Sequence, residues 1–313
     1  MPRRLPLVRW PGGGGGEPGQ GGGDRHPGRG PRAATMRGTV LCALSVLCSY
    51  GAGPAPPVRA VVLGMAQDGG VPHIGCRQER CEAARRDPSR RERVASLGLV
   101  DGDRRFLIDA TPDLPSQVAS LDPGRPASRP IVDGILLTHA HIARMARFLR
   151  ENGPWSQLVA LGNVAVKEMA PGREIALTER LRVTPLLVPH RDELSDTVGF
   201  RVQGPSRSLL YIPDIDMWER WERGLPEEVA GVDWALLDST FEDPAELPGR
   251  SRAEIPHPLV GETVARLGPP PRRAQVLFIH LNHTNRLLRD EAAVRSLGAK
   301  GFAVARDGQE LEL

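Results

Sequence analysis

In the stretch "ILLTHAHIARMARFL" (Ile135–Leu149), an apolar run leads to two histidines, His139 and His141, and then directly into a segment with helical periodicity. Two histidines two residues apart at the end of a buried strand are typical of half a metal site, because imidazole nitrogens are common metal ligands. The residues that follow, Ala143 and Arg144, do not bind metals. The stretch therefore predicts a metal site whose second half has changed.

Other apolar runs also end in polar residues that bind metals. His190 follows "VTPLLVP", Asp214 follows "SLLYIP", and His280 follows "QVLFI", with His283 three residues further on. Because the ends of neighbouring strands meet at one edge of a sheet, we expect these side chains to converge. Unrelated surface histidines are the alternative, but several strands ending in His or Asp favour a metal site.

From residue 58 onward, short apolar runs bounded by Gly, Pro and Asp predict strands. Helical segments lie between them, among them Met217–Glu222 and His257–Leu267, and the last segment, "FAVARDGQELEL", reads as one strand. Strands first and then strands alternating with helices indicate an α/β layered sandwich. We expect a single domain over residues 58–313.

The N-terminal region has a different composition. Residues 1–35 are rich in Gly, Pro and Arg, a composition that predicts a disordered extension. Our hypothesis is that Met36 is the true start and that residues 1–35 are not translated. Residues 36–57 begin with Met36 and Arg37, continue with "TVLCALSVLC" and end in small residues and prolines, which is the layout of a signal peptide. The apolar run is shorter than the roughly 20 residues of a membrane span, so no stable span is expected. Export, for example to the periplasm, follows if Met36 is the true start, and a cytoplasmic location follows otherwise.

The charge distribution limits the classes of partner. The 313-residue chain has a formal net charge of +3, but its first 58 residues contain seven arginines against only Glu17 and Asp24. The remainder is therefore slightly acidic and carries no electrostatic footprint for nucleic acid. We expect a small-molecule substrate, and the sequence does not indicate an oligomeric state.

The strand-end pattern resembles the metallo-β-lactamase superfamily, whose marker is H-x-H-x-D-H after a strand, then a later His, an Asp at a strand end and a final His. The resemblance covers Val58–Leu313 and implies a metallo-β-lactamase-like αββα sandwich. Matched residue by residue, it places metal ligands at His139, His141, His190, Asp214 and His280, with His283 as an alternative to the last. The segments "VVLGMAQDGGVPHIGC", "FLIDATPDLPSQ", "VPHRDELSDTVGF" and "FIHLNHTNRLL" are similar to the coenzyme PQQ synthesis protein B group.

The chain departs from the superfamily marker where Ala143 and Arg144 replace Asp-His. The resemblance implies a complete first set of ligands, whereas the second set keeps only Asp214 and His280. Two protein ligands are too few for a tight site. We therefore predict one divalent metal ion, best zinc and otherwise iron or manganese, with the Arg144 guanidinium in the place of a second ion. Asp214 and Arg144 are the predicted catalytic residues; a solvent-facing Arg144 and a vestigial site are the alternative.

Two further groups are candidate sites. Cys76 and Cys81 lie where the PQQ-synthesis group has three cysteines in a structural zinc loop, but Gln78 takes the place of the middle one. A disulfide, a zinc site completed by His73, or free thiols therefore remain open. Asp238, at the end of "WALLD", is expected to orient a ligand histidine or to cap a helix. His257, between two prolines, is expected to line the cleft or to lie in a turn.

The resemblance implies metal-dependent hydrolysis of an ester, amide, lactone or phosphodiester, in which a metal lowers the pKa of water and polarises a substrate oxygen. A role in pyrroloquinoline quinone biosynthesis, as metal- and O₂-dependent oxidation of a precursor, is the second interpretation. A binding or carrier protein that has kept the pocket and lost turnover is the third.

Overall fold

Short apolar segments form two β-sheets. The computed structural model describes residues 5–9, 56–121, 128–139, 142–191 and 196–313, with the backbone alone at 5–9 and 142–145. The first sheet contains β1 (Leu5–Arg9), β2 (Arg59–Gly64), β3 (Ser96–Asp101), β4 (Arg104–Ile108), β5 (Gly134–Leu136), β6 (Ala165–Met169) and β14 (Glu310–Glu312). The second sheet contains β7 (Ile175–Ala176), β8 (Arg182–Val188), β9 (Thr197–Gln203), β10 (Ser208–Ile212), β11 (Trp234–Asp238), β12 (Gln275–Ile279) and β13 (Ala303–Val304).

The strand order is β14-β2-β3-β4-β5-β1-β6 in the first sheet and β13-β12-β11-β10-β9-β8-β7 in the second. The helices are α1 (Glu79–Arg86), α2 (Leu114–Leu121), α3 (Ile142–Glu151), α4 (Gly153–Ala160), α5 (Leu225–Ala230), α6 (Val260–Leu267) and α7 (Glu291–Ala299). Both sheets and the helices that flank them give the predicted αββα sandwich.

The core lies between the sheets and continues under the helices. In β2, Ala60 and Val62 belong to the main core, while Val61 and Leu63 pack in a second cluster with Leu121 of α2. Both faces of this strand are therefore buried, which explains its nearly continuous apolar sequence. At Gly98, a β-carbon would lie 2.5 Å from Leu121, so the close approach of α2 to β3 requires a glycine.

The strand directions bring the predicted ligands to one edge. β10, β11 and β12 are parallel, and β8 runs in the same direction because β9 is antiparallel to both β8 and β10. Asp214 and His280 follow β10 and β12, Asp238 ends β11, and His190 follows β8. In the first sheet, His139 follows β5. All five side chains start from strand carboxyl ends.

Several element predictions were wrong in detail. The predicted helix Met217–Glu222 is a single 3₁₀ turn at Trp218–Arg220, and α6 begins at Val260 rather than His257. Pro256 and Pro258 flank His257 and explain the later start, because proline disfavours a helical conformation at the residue before it.

The structure also differs from the prediction for residues 1–35 at Leu5–Arg9, which form β1 between β5 and β6. The rest of that extension, and residues 36–55 of the signal-like segment, lie outside the described residues. Across the described ranges, no helix combines the length and the apolar character needed to span a bilayer.

Candidate metal centre

The Asp214 carboxylate lies at the centre of the site and is buried. Its Oδ2 atom lies 3.2 Å from Nε2 of His190 and 3.6 Å from Nε2 of His139. Ligand atoms around a tetrahedral zinc ion are about 3.3 Å apart, since Zn–N and Zn–O bonds are about 2.0–2.1 Å. Each nitrogen therefore lies at about the distance from Oδ2 that separates two ligands of one ion.

His139 and His190 are both oriented to bind an ion beside Asp214. Nδ1 of His190 lies 3.2 Å from Oδ1 of Asp216, and Nδ1 of His139 lies 2.7 Å from the hydroxyl of Thr138. Each ring is thus held through Nδ1 while Nε2 faces Asp214, which is the arrangement of metal-bound histidines.

Asp109 supports His139 indirectly, through Thr138. The amide and hydroxyl of Thr138 both donate hydrogen bonds of 2.8 Å to its carboxylate. Asp109 has φ of 71°, in the left-handed region that costs most residues energy. Burial raises the pKa of the Asp109 carboxyl, although the positive charge of a protonated His139 and the hydrogen bonds from Thr138 oppose this rise.

His257 joins the site from the segment before α6. Its Nδ1 atom lies 3.2 Å from Oδ1 of Asp214 and 3.0 Å from Oδ2 of Asp238. Within the described part of the chain, Oδ1 of Asp214 has no hydrogen bond of good geometry. Ligand atoms of these three residues lie within 4.8 Å of one another, so a buried and incompletely paired carboxylate oxygen faces a set of metal-binding groups.

Asp214 and His257 each favour the charged form of the other. Burial of Asp214 opposes its ionisation, but close contact with the His257 ring and the positive charges of His257 and His280 outweigh burial and hold the pKa of the carboxyl below its ordinary value. Burial likewise disfavours the charged form of His257, but the carboxylates of Asp238 and Asp214 raise the pKa of this imidazole well above its ordinary value. Asp214 is therefore an anion in the neutral pH range, ready to bind a cation.

His280 lies at the edge of the same site. Its Nδ1 atom is 3.0 Å from the hydroxyl of Thr240, and its Nε2 atom is 3.4 Å from Asp68. It also has a positive φ, of 65°. His283, the alternative to His280, lies instead beside Cys76 and Cys81.

The structure brings His139, His190, Asp214 and His280 to one edge and adds His257 and Asp238. His141 and the side chain of Arg144 lie outside the described residues, so their predicted roles stay predictions. The sequence analysis missed Asp109, Thr138 and Thr240. Asp109 follows the strand "RFLI" directly and carries the same strand-end signal as the ligands.

The two cysteines form a separate cluster near α1. Both are free thiols, so the structure does not contain the disulfide considered above. Ligand atoms of Cys76, Cys81 and His283 lie within 4.8 Å of one another, and the ring of His73 stacks on that of His283 with 4.5 Å between centroids. Nδ1 of His283 is buried with no hydrogen-bond partner in the described ranges, as expected of a nitrogen that serves a metal.

Comparison with known proteins finds relatives that cover most of the chain. The chain is 27% identical to the coenzyme PQQ synthesis protein B of Methylobacterium sp. (strain 4-46) and 29% identical to that of Methylorubrum extorquens (strain PA1), over 82% of this chain and 100% of each relative. Among solved structures, a Zn(2+)-bound PqqB from Methylobacterium extorquens has a TM-score of 0.65 at 24% identity, covering 82% of this chain and 100% of that one.

A diphosphatase from the PhnP family has a TM-score of 0.56 at 21% identity, covering 82% of this chain and 98% of that chain. At this level of identity, both structural likenesses show the fold alone. The sequence profile described as "Beta-lactamase superfamily domain" matches residues 104–281, which include β4 to β12 and the described residues of the candidate metal centre except Asp68. The chain therefore belongs to the beta-lactamase superfamily.

Proposed function

We propose that this protein is a metal-dependent hydrolase that holds one divalent metal ion at the Asp214 centre and cleaves an ester, amide or phosphodiester bond in a small molecule. The observation that carries the proposal is the position of the Asp214 carboxylate, whose Oδ2 atom faces the imidazole nitrogens of His139 and His190 at 3.6 and 3.2 Å. Membership of the beta-lactamase superfamily supports it.

His139, His190 and Asp214 would hold the ion, with His141 as the fourth ligand implied by the resemblance. Three imidazoles and one carboxylate suit zinc, and also iron or manganese. We propose zinc because histidine and carboxylate ligands are typical of catalytic zinc sites. When bound, the ion supplies Lewis acidity and lowers the pKa of a coordinated water.

His257 is the proposed proton donor to the leaving group. Its contacts with Asp214 and Asp238 favour the protonated ring, and such a group can protonate a departing oxygen or nitrogen. Asp238 positions the ring and also accepts a 3.1 Å hydrogen bond from the Ile215 amide, directly after Asp214. The proposed role of Arg144, stabilising an anionic group, rests on the sequence.

A panel of ester, amide and phosphodiester substrates tests the proposal on native and chelator-treated protein. His190→Ala should lose both turnover and the bound metal. His257→Gln should keep the metal and lose turnover by about 10²- to 10⁴-fold, the usual contribution of a general acid. Turnover that survives both chelation and His190→Ala would contradict the metal-dependent mechanism.

The names of the curated relatives favour a second candidate, a role in pyrroloquinoline quinone biosynthesis. In this case, the same histidine and carboxylate ligands would hold iron for oxidation of a precursor by O₂. Oxygen consumption by iron-loaded protein with a peptide-derived precursor, without hydrolysis of the panel, would favour this role. Metal binding without either activity would favour a carrier.

A further inference from the structure

We infer that the substrate carries a bulky apolar group, aromatic or branched aliphatic, and presents an uncharged ester or amide bond to the metal centre. This inference rests on the proposed hydrolase function, because it names the substrate class of the same site. It comes from the cavity that adjoins His139 and His280.

The cavity has a volume of about 630 Å³ and lies beside the metal centre, between the ends of β4 and β5 and helices α3 and α4. This volume falls within the range of small-molecule sites, about 300–1,000 Å³. Its largely apolar wall includes Val94, Ala110, Pro112, Ile135, Leu137 and Pro213.

The polar groups of the cavity are unevenly distributed. Asp68, His139 and His280 line it at the metal centre, where Asp68 contacts His280 and His139 contacts Asp214. Asp109 lines it beside them, and the hydroxyl of Thr111, the other polar side chain described there, donates a hydrogen bond to Gln117. Phe148 and Trp155 lie on α3 and α4, outside the strand ends that form the centre. A ligand that fills this space must place a polar bond at the centre and apolar atoms beyond it.

The aromatic pair is an unusual feature of the surface. Phe148 and Trp155 are 43% and 46% exposed, and their ring centroids are 6.4 Å apart. Large apolar side chains that remain exposed together beside a cavity mark a binding surface. Two rings at this separation can pack against an aromatic or branched group of a ligand.

The charges in the described part of the wall do not favour an anionic ligand. Among the described residues that line the cavity, none is Lys or Arg, whereas Asp68 and Asp109 are acidic. Recognition of phosphate groups in proteins relies on Arg, Lys or clustered amide donors. The described part of the wall therefore suits an apolar acyl or aryl group better than a phosphodiester.

Binding of alkyl phenyl ketones, from acetophenone to hexanophenone, tests the inference by calorimetry on the full chain as purified. These ketones resemble esters but cannot be hydrolysed, so their binding does not depend on turnover. We expect the dissociation constant to fall about fourfold per added methylene until the cavity is full. No dependence on chain length would overturn the inference, even for a protein that hydrolyses esters.

Two exposed positions in the wall provide variants that should fold. Trp155→Ala should weaken hexanophenone binding about tenfold, since ring packing is lost. Ala110→Leu should reduce the gain from longer chains while acetophenone binds as before. Leu161→Ala is the matched control, because Leu161 follows α4 and is 74% exposed outside the cavity. Equal effects of Trp155→Ala and Leu161→Ala would contradict the assignment.

A parallel series of p-nitrophenyl esters separates the two proposals. Turnover that rises with acyl length supports both the hydrolase and the apolar subsite. Turnover that is independent of acyl length supports the hydrolase and overturns the subsite. Ketone binding that depends on chain length, without turnover of any ester or amide, leaves the cavity assignment standing and contradicts the hydrolase.

Discussion

Asp109 is connected to the ligand His139 through two successive hydrogen bonds, by way of Thr138. It accepts from the Thr138 amide and hydroxyl, and the same hydroxyl contacts Nδ1 of His139. Its φ of 71° shows that the backbone adopts an unfavourable conformation where this carboxylate is needed. Such supporting groups fix the orientation of a ligand ring and its affinity for the metal.

We therefore predict that Asp109→Asn weakens metal binding about 10- to 100-fold, because an amide cannot replace both accepting oxygens under Thr138. Competition with a chromogenic chelator measures the affinity. Asp103→Asn is the matched control, since Asp103 lies before the opposite end of β4 and pairs with Arg129 on the surface. An equal loss in both variants would contradict the supporting role.

The raised pKa of His257 predicts a pH-dependent stability of the chelator-treated protein. A group whose pKa is raised on folding stabilises the fold below its ordinary pKa, and this contribution is lost as pH rises through the folded value. The difference in free energy of unfolding between wild type and His257→Gln should be largest near pH 6 and shrink towards alkaline pH. Denaturant unfolding at several pH values measures it; a difference that grows with pH would contradict the assignment.

At the residue scale, the sequence was informative where a ligand directly follows an apolar strand. His139, His190, Asp214 and His280 could all be found in that way. Thr138 and Thr240 could not, because a threonine hydroxyl near a histidine is recognised only when both are placed in space. His257 was ambiguous for the same reason: its role depends on Asp214 and Asp238, which belong to other strands.

Helix α1 and the turn after β12 are linked by the cysteine cluster. The side chain of Arg80 donates hydrogen bonds to the carbonyl oxygens of His283, at 2.8 Å, and Asn285. Cys81 lies in α1, while Cys76 and His73 lie in the loop before it. A metal held by Cys76, Cys81 and His283 would fix this loop against the turn after β12.

We predict that zinc raises the melting temperature of chelator-treated wild type through this cluster. In Cys81→Ser, the increase should be smaller, because one thiolate ligand is lost. Differential scanning calorimetry with and without added zinc measures the effect. An equal increase in Cys81→Ser and wild type would contradict a structural metal at this position.

Several elements were hidden from sequence patterns by their tertiary context. The segment "FAVARDGQELEL" forms two strands in different sheets, since β13 pairs with β12 and β14 pairs with β2. The turn between them contains Gly308, with φ of 80°, and reverses the chain from one layer to the other. The dipeptide Asp307-Gly308 is a turn signal, but a turn signal does not reveal which sheet the next strand joins.

The whole sandwich depends on strands that are distant in sequence. β1 pairs with both β5 and β6, so residues from the start of the chain lie between two strands of the domain.

The alignment with a curated relative extends over 303 positions but includes only 82% of this 313-residue chain. The relatives therefore contain residues within the matched region that this chain lacks.

We predict that a chain starting at Met36 is less stable than the full chain, because β5 and β6 would lose their shared partner strand. Each hydrogen bond lost costs about 1 kcal/mol of net stability, and the exposed strand edges favour association. Urea unfolding and light scattering of both forms check this. Equal stability and an unchanged monomer content would show that β1 contributes nothing.

At the scale of the molecule, strand directions were the feature that made the site predictable. Parallel strands that end in polar residues bring those residues to one edge, whatever the loops between them do. Loops and helix packing position the remaining features, which the sequence pattern does not specify. These features are the groups that support the ligand histidines, the histidines of the cysteine cluster and the apolar cavity.

Metal content per chain tests the central claim most directly, by comparing wild type with Asp214→Asn after purification from the same cells and dialysis. The metal centre described above predicts that the variant contains one equivalent less of a divalent ion, while the cysteine cluster keeps its own. Equal metal content in the two proteins would show that Asp214, and the two histidines facing it, do not hold an ion.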